Sequence, residues 1–161
     1  MYTPQKSPYN KGKVIRKRYS AVVTGGSSGI GAETVRLLSK MGYSVTAVGR
    51  DEAKLRKIAV ETGCSAVVCD LSNEKSVSNL LKLRPTADIL INCAGYGIYG
   101  DFVSRAEKDG GKSGLALLDV NVRAAQQLMA GYLPQMVKRG GGYVLNYSSI
   151  AAFMPGVHMS E

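Results

Sequence analysis

Short apolar runs alternate with helical patterns along residues 21–146. The runs are continuous and rich in β-branched residues, as is typical of parallel strands that are covered on both faces. They are AVVT (21–24), SVTAV (44–48), AVVC (66–69), ILIN (89–92) and YVLN (143–146). The pattern therefore predicts five strands of one parallel sheet.

Apolar residues spaced mainly three or four positions apart predict four helices between these strands. In chain order, the positions that mark them are Ala32, Val35, Leu38 and Met41; Leu55, Ile58 and Ala59; Val77, Leu80 and Leu81; and Leu118, Val122, Ala125, Met129, Tyr132 and Met136. We expect Gly42 and Gly63 to end the first two helices, and Asp51 to lie near the start of the second. Ser72 is the predicted N-cap of the third helix, and Pro134 is expected to kink or shorten the fourth.

The order of these elements predicts the fold class. Strand and helix alternate, which implies right-handed crossovers and a parallel sheet with helices on both faces. We therefore expect an α/β, Rossmann-like, doubly wound sheet. Residues 96–114 are Gly-rich and polar, and we interpret them mostly as a loop.

Bulk composition is that of an ordinary globular domain. The 161 residues are 45% hydrophobic and 20% charged, which is enough for one domain with a core. No apolar run approaches the roughly 18–20 residues of a membrane span, and the N-terminus lacks the apolar segment of a signal peptide. The three cysteines Cys64, Cys69 and Cys93 lack metal-ligand spacing. We interpret them as reduced thiols and expect a cytoplasmic location.

Positive charge is concentrated at the N-terminus. The net charge is +9, and the first twenty residues contain six Lys or Arg residues and no acid. One interpretation is attraction to nucleic acid or anionic lipid. We favour a solvated leader, because no zinc-finger, RNP or helix-turn-helix pattern accompanies the charge. The predicted organisation is a basic extension (1–18) followed by one α/β domain (19–161).

A glycine-rich turn, TGGSSGIG (24–31), lies between the first strand and the first helix. Gly25, Gly29 and Gly31 allow a tight turn and a close approach of the backbone to a ligand. The helix that follows directs free N–H groups and its positive dipole end at the same point, which suits a pyrophosphate. Hydroxyls of Ser27 and Ser28 are further candidate donors.

This turn resembles the TGxxxGxG motif of the short-chain dehydrogenase/reductase family, and the similarity runs from about Tyr19 to the last residue. NCAG (92–95) is similar to the family's NNAG, with Cys93 in place of the second Asn. The resemblance implies oxidoreduction of a carbonyl or alcohol, a nicotinamide cofactor and a catalytic role for Asn121 and Ser149. It implies a cofactor site of Gly25, Ser27, Ser28, Gly29, Ile30, Gly31, Arg50, Asp70, Leu71, Asn92, Ala94 and Gly95.

Some of these matches have a structural alternative. Asp70, expected to meet the adenine ring, could instead cap a helix, and Asn92 could satisfy backbone groups of a loop. Asn121 lies three to four residues from Leu118 and Ala125, so we expect its amide on the buried helix face. A buried amide requires partners, which favours a hydrogen-bond network there.

The end of the second strand indicates the choice of cofactor. In NAD-binding relatives an acidic residue stands there and binds the ribose hydroxyls. Here Gly49 and then Arg50 hold that place. A guanidinium can pair with a 2′-phosphate that no carboxylate repels, so we expect NADP(H). The alternative is that Arg50 is solvated and Asp51 binds the ribose.

The family's general acid/base is the tyrosine of a YxxxK motif, thirteen residues after the catalytic serine. From Ser149, that position falls just beyond Glu161. We therefore expect an incomplete cofactor-binding part, with five of the family's seven strands and no activity of its own. His158 is a possible substitute acid, although a loop or solvent-facing role is the simpler interpretation. The alternative function is an inactive nucleotide-binding or regulatory module. We also expect a homo-oligomer, as is common among relatives, with neither nucleic acid nor membrane as a partner.

Overall fold

The computed structural model describes residues 19–154, Gly156 and His158. The predicted basic extension (1–18) lies outside the described residues. Among the helices that are described, none is both long and apolar enough to cross a membrane.

Five parallel strands form one sheet with the order β3-β2-β1-β4-β5. The strands are β1 (Ser20–Thr24), β2 (Ser44–Gly49), β3 (Ser65–Val68), β4 (Ile89–Asn92) and β5 (Tyr143–Asn146). The five predicted runs are therefore confirmed as strands, with ends that differ by one residue at most. The interior strands are almost fully buried, whereas β3 and β5 lie at the edges and expose most of their residues.

In the described part of the chain, six α-helices connect these strands. They are α1 (Gly29–Lys40), α2 (Glu52–Thr62), α3 (Glu74–Leu83), α4 (Phe102–Asp109), α5 (Lys112–Leu118) and α6 (Ala124–Lys138). A π-helical turn (Asp119–Arg123) joins α5 to α6, and a short 3-10 turn (Ile150–Ala152) follows β5. Pro134 lies inside α6, but the helix continues to Lys138 and is not shortened there.

The sheet is covered by helices on both faces. On one face, Val22, Leu90, Val77 and Leu128 belong to a core built with α3 and α6. On the other face, Val23, Val35, Leu55 and Ile58 belong to a core built with α1 and α2. This two-sided burial is the reason that the interior strands are continuous apolar runs.

The order of the strands creates a crevice between β1 and β4. From β1 the chain first builds outwards through β2 and β3, and then returns to place β4 on the opposite side of β1. Open α/β sheets bind ligands at such a switch point, beyond the carboxyl ends of the strands. The backbone confirms how close the two strand ends lie, because a Cβ on Gly25 would be 3.0 Å from Cα of Ala94.

The prediction of a loop over residues 96–114 is wrong for much of that segment. Helix α4 begins after Asp101, whose carboxylate accepts a hydrogen bond from the Ser104 N–H at 2.8 Å. Gly110 ends it in the left-handed conformation with φ 65°. These caps stabilise a helix that has no fully buried residue, which explains why its apolar pattern is weak.

The predicted N-cap of the third helix is off by one residue. Asn73, not Ser72, caps α3, and its side chain accepts a hydrogen bond from the Ser76 N–H at 3.0 Å. Ser72 instead donates to the carboxylate of Asp70 at 2.8 Å. The carboxylate of Asp70 thereby closes a local turn and does not cap the helix.

The predicted apolar face of the last helix is wrong in its first half. Leu118 and Val122 are 48% and 60% exposed, whereas Tyr132 and Met136 are buried as predicted. The buried residues that this pattern did not predict are Leu117, Val120, Ala124 and Leu128. The π-helical turn places an extra residue in its backbone ring, so a constant spacing cannot describe the whole segment.

Candidate functional site

One cavity of about 930 Å³ opens at the carboxyl ends of the strands. Its volume lies in the range of known cofactor pockets. The glycine-rich turn lines one part of it, and the segments that follow β2, β3, β4 and β5 line the rest. Six of the predicted site residues are neighbours in this lining: Gly25, Ser27, Ser28, Gly29, Ile30 and Gly31.

Close backbone contacts explain two of the glycines in this turn. A Cβ on Gly31 would lie 2.2 Å from the carbonyl oxygen of Gly25, so no side chain fits at position 31. Gly25 has φ 69°, in the left-handed region that favours glycine. The turn therefore presents bare backbone to the cavity, as a dinucleotide requires at its phosphates.

The first turn of α1 faces the same space. Its N-cap is Ser28, whose side chain makes no capping hydrogen bond, and the first turn contains no acidic residue. The N–H groups that begin a helix have no partner within the helix. An anionic ligand can therefore accept from them, helped by the positive end of the helix dipole. The donors and the glycine-lined space together fit a dinucleotide cofactor.

Thr24 fixes the two sides of the crevice to each other. Its hydroxyl accepts hydrogen bonds from the backbone N–H groups of Cys93 and Ala94, each at 3.1 Å. Ala94 and Gly95 line the cavity beside the glycine-rich turn. Cys93 also lines it, and partial burial raises the pKa of its thiol, which disfavours a reactive thiolate.

The end of β2 brings Gly49 and Arg50 to the cavity. Asp51 does not line it, because its carboxylate is the N-cap of α2. The carboxylate accepts from the Lys54 N–H at 3.0 Å and pairs with the Lys54 ammonium at 3.2 Å. The hydrogen bond from the Lys54 backbone lowers the pKa of Asp51. The basic group at this end of the cavity is thus Arg50, and the neighbouring acid is already engaged.

The turn after β3 contributes Cys69 and Leu71 to the cavity, but not Asp70. Leu71 is 5% exposed and forms an apolar wall, whereas the Asp70 carboxylate is bonded to Ser72. The structure therefore brings Leu71 into the predicted site and leaves the Asp70 side chain outside its lining.

Asn92 also lies outside the cavity lining. It is 7% exposed, and its amide donates to the side chain of Asn146 on the neighbouring strand at 2.8 Å. This contact ties β4 to β5 where both strands end. The structure thus supports the alternative of a structural amide, although the partner is a neighbouring strand and not a loop.

Asn121 lines the cavity from the π-helical turn. The prediction of a buried position is wrong, because the residue is exposed. Its amide forms two hydrogen bonds with the backbone of Tyr96, accepting from N–H at 3.1 Å and donating to C=O at 2.8 Å. The predicted network exists at this point, and it holds the segment after β4 in place.

Ser148 and Ser149 both line the cavity after β5. Ser149 is the N-cap of the 3-10 turn, and its hydroxyl oxygen accepts from the Ala151 N–H at 3.1 Å. An acceptor lone pair is thereby used, while the O–H remains a donor. His158 lies in a nearby loop, where its ring packs edge-on against Tyr99 with centroids 5.6 Å apart. It is exposed and is not among the lining residues.

The residue-level predictions missed several apolar and aromatic lining residues. They are Tyr96, Gly97, Ile98, Leu117, Val120 and Tyr147. Tyr96 to Ile98 directly follow the NCAG segment, and Leu117 and Val120 lie close to Asn121. Their closeness in the sequence to predicted site residues could have identified them as lining residues. Tyr147 adds a hydroxyl that lies 3.4 Å from the Thr34 hydroxyl on α1.

Comparison with known proteins identifies one protein family. A family model described as "short chain dehydrogenase" matches residues 19–161. An uncharacterized oxidoreductase of Staphylococcus epidermidis is 30% identical over 145 residues, which cover 86% of this chain and 61% of that protein. This chain thus spans about three fifths of the length of the first curated relatives that it matches.

Solved structures give the same result. A metagenomic short-chain oxidoreductase in complex with NADP has a TM-score of 0.78 at 30% identity, covering 88% of this chain and 67% of its own. A short-chain dehydrogenase from Sphingobium yanoikuyae in complex with NADPH has a TM-score of 0.77 at 29% identity, covering 88% of this chain and 58% of its own.

Proposed function

This chain belongs to the short-chain dehydrogenase family, and from that premise we propose that it serves an NADP(H)-dependent oxidoreductase acting on a carbonyl or alcohol substrate. The observation that carries the proposal is the single cavity in which the glycine-rich turn, Arg50, Asn121 and Ser149 meet. The glycine-rich turn, Arg50 and Asn121 would bind and position the cofactor along its length. Ser149 would donate a hydrogen bond to a substrate oxygen.

The preference for NADP(H) rests on the end of β2. Gly49 has no carboxylate to repel a 2′-phosphate, and Arg50 lines the cavity beside it. Asp51, the alternative ribose ligand, is engaged as a helix cap. The similar structures that contain NADP and NADPH are consistent with this choice.

The roles of the remaining residues follow from their contacts. Bound NADPH would supply the hydride. Ser149 would donate its O–H to the substrate oxygen as negative charge develops there. Asn121 would act by holding the backbone of Tyr96, so that the wall beside Gly95 keeps its shape. Each of these residues would bind or orient, and none would by itself transfer the proton.

A titration tests the cofactor assignment. We expect the full chain to bind NADPH about ten- to a hundredfold more tightly than NADH, as one charge-assisted contact provides. Arg50→Asp should narrow or reverse this ratio, because a carboxylate repels the 2′-phosphate. Arg56→Asp is a matched control, since Arg56 pairs with Glu52 on the exposed face of α2. Equal dissociation constants for the two nucleotides in the unaltered chain would contradict the assignment.

A second candidate function is nucleotide binding without catalysis. It rests on the contacts of the glycine-rich turn, Arg50 and Asn121, which serve to bind and position a nucleotide. On this basis we propose that residues 1–161 alone bind nucleotide but do not reduce carbonyl compounds. NADPH oxidation by these 161 residues with a panel of aldehydes and ketones, above a Ser149→Ala control, would reject the proposal.

We also propose a homo-oligomer in the cytoplasm. The oligomer is suggested by apolar side chains that α6 leaves exposed, Leu133 at 42% and Val137 at 75%. The location is an inference from the three free thiols.

A further inference from the structure

Arg123 joins two segments that are distant in the sequence. It is the last residue of the π-helical turn, and its guanidinium donates to the backbone carbonyls of Ser72 at 3.0 Å and Leu71 at 3.4 Å. These two carbonyls belong to the turn after β3, which contributes Leu71 to the cavity wall. The side chain of Arg123 thus reaches across to the loop from which that wall is built.

The guanidinium is held in this position by two neighbours on its own helix. Its Nε donates to the carboxylate of Asp119, and one terminal nitrogen donates to the side chain of Gln127 at 3.1 Å. The ion pair is only partly exposed, at 32% for Arg123 and 36% for Asp119. All three nitrogens of the planar guanidinium therefore donate hydrogen bonds.

Gln127 adds a second tether, to the beginning of α3 directly after that loop. Its amide nitrogen donates to the Glu74 carbonyl at 3.2 Å and to the Ser78 hydroxyl at 3.0 Å. Both partners lie in the first turns of α3. The start of α3 and the turn before it are consequently fixed to the segment that carries Asn121, by side chains from one helical stretch.

The π-helical turn therefore supports two walls of the cavity. Asn121 fixes the wall after β4 through the backbone of Tyr96. Arg123, two residues later, fixes the wall after β3 through the carbonyls of Leu71 and Ser72. These walls follow strands that lie on opposite sides of β1 in the sheet, and one turn of helix contacts both.

We propose that Arg123 is a positioning residue for the adenine end of the cofactor, acting through the Leu71 wall that it holds. The proposal rests on the proposed nucleotide function. Leu71 follows β3, which pairs with β2, and the end of β2 brings Arg50 to the cavity. Under the proposed function Leu71 would therefore lie near the 2′-phosphate, at the adenine end. Because its side chain is apolar, its contact with the cofactor would depend on where the backbone of that turn lies. A lysine at position 123 has a single donor group and would hold only part of the arrangement.

The test measures binding to the full chain by calorimetry, with three probes. They are NADPH, adenosine 2′,5′-bisphosphate for the adenine end, and reduced nicotinamide mononucleotide for the other end. Arg123→Met should weaken NADPH and the bisphosphate about three- to thirtyfold, the usual range for residues that act through another. Arg123→Lys should lie between the unaltered chain and Arg123→Met. The affinity for the mononucleotide should change less than twofold.

Arg36→Met is the matched control. Arg36 also makes several charged contacts, with Glu33 and Glu61, but it lies on the surface between α1 and α2 and does not line the cavity. It should leave all three affinities within twofold. If Arg123→Met fails to fold, as judged by circular dichroism, Gln127→Leu replaces it and should weaken the bisphosphate in the same direction.

The outcomes separate the two proposals. If the unaltered chain binds neither NADPH nor the bisphosphate, the proposed function is wrong and this role falls with it. If the unaltered chain binds both and Arg123→Met binds them equally well, the positioning role alone is overturned. An equal loss for all three probes would also overturn it, because the effect would then be a general loosening of the site.

Discussion

Two adjacent serines at the end of β5 make different contacts. The oxygen of Ser149 accepts a hydrogen bond from the Ala151 N–H, which orients the side chain and leaves its O–H to donate. No described contact orients the Ser148 side chain in this way. The local backbone thus distinguishes two residues of identical chemistry, and Ser149 is the better candidate donor to a developing oxyanion.

We predict that Ser149→Ala lowers kcat by about 10²–10³ in any form of the protein that turns over substrate, the usual cost of losing one oxyanion donor. Ser148→Ala is the matched control and should change kcat far less. Steady-state rates with one accepted carbonyl substrate measure both. Equal losses from the two substitutions would mean that the assignment of the serine is wrong.

Capping residues determine where several helices begin. The α3 N-terminus shows how local this choice is: Ser72 and Asn73 are both good capping types, and only the second one caps. The hydroxyl and the N–H of Ser72 both donate to the Asp70 carboxylate, which orients the Ser72 side chain within that turn. The start of α3 therefore depends on which of these two side chains bonds to the Asp70 turn and which bonds to the helix N-terminus.

We predict that Asn73→Ala lowers the free energy of unfolding by about 0.5–2 kcal/mol, the typical cost of losing an N-cap. Ser72→Ala should cost clearly less, because Ser72 makes no helix cap. Urea denaturation followed by circular dichroism measures both changes. The interpretation fails if Ser72→Ala is the more destabilising of the two.

The exposed side of α6 bears on the oligomeric state of the protein. Leu133 and Val137 are four residues apart in α6, so they lie on one side of that helix. Their exposed fractions are 42% and 75%. A second copy of the chain, related by a two-fold axis, would bury the same residues on both partners.

We predict that Val137→Glu shifts the protein towards the monomer, because two like charges would meet across such an interface. Val60→Glu is the matched control: Val60 is 89% exposed on α2, away from α6. Sedimentation velocity at several concentrations measures the distribution of species. A monomeric unaltered chain, or an equal shift from both variants, would reject the proposed interface.

The sequence by itself determined the strands, the class of fold and the glycine-rich turn. These features have local causes: a strand covered on both faces must be apolar throughout, and Gly31 cannot carry a side chain beside the Gly25 carbonyl. Helix α2 was equally predictable, because Asp51 and Gly63 mark its two ends. The family resemblance then located the cavity, whose lining includes most of the predicted residues.

Only the tertiary structure decided how those segments are held against each other. Asp70 and Leu71 are neighbours in the sequence, yet Leu71 alone lines the cavity. The exposed position of Asn121 follows from a π-helical turn that a regular spacing cannot reveal, and its partner Tyr96 lies 25 residues away. Arg123 meets Ser72 across 51 residues. Such contacts depend on which distant backbone groups the folded sheet brings within hydrogen-bonding distance. The pattern of apolar and polar positions does not specify these long-range pairs.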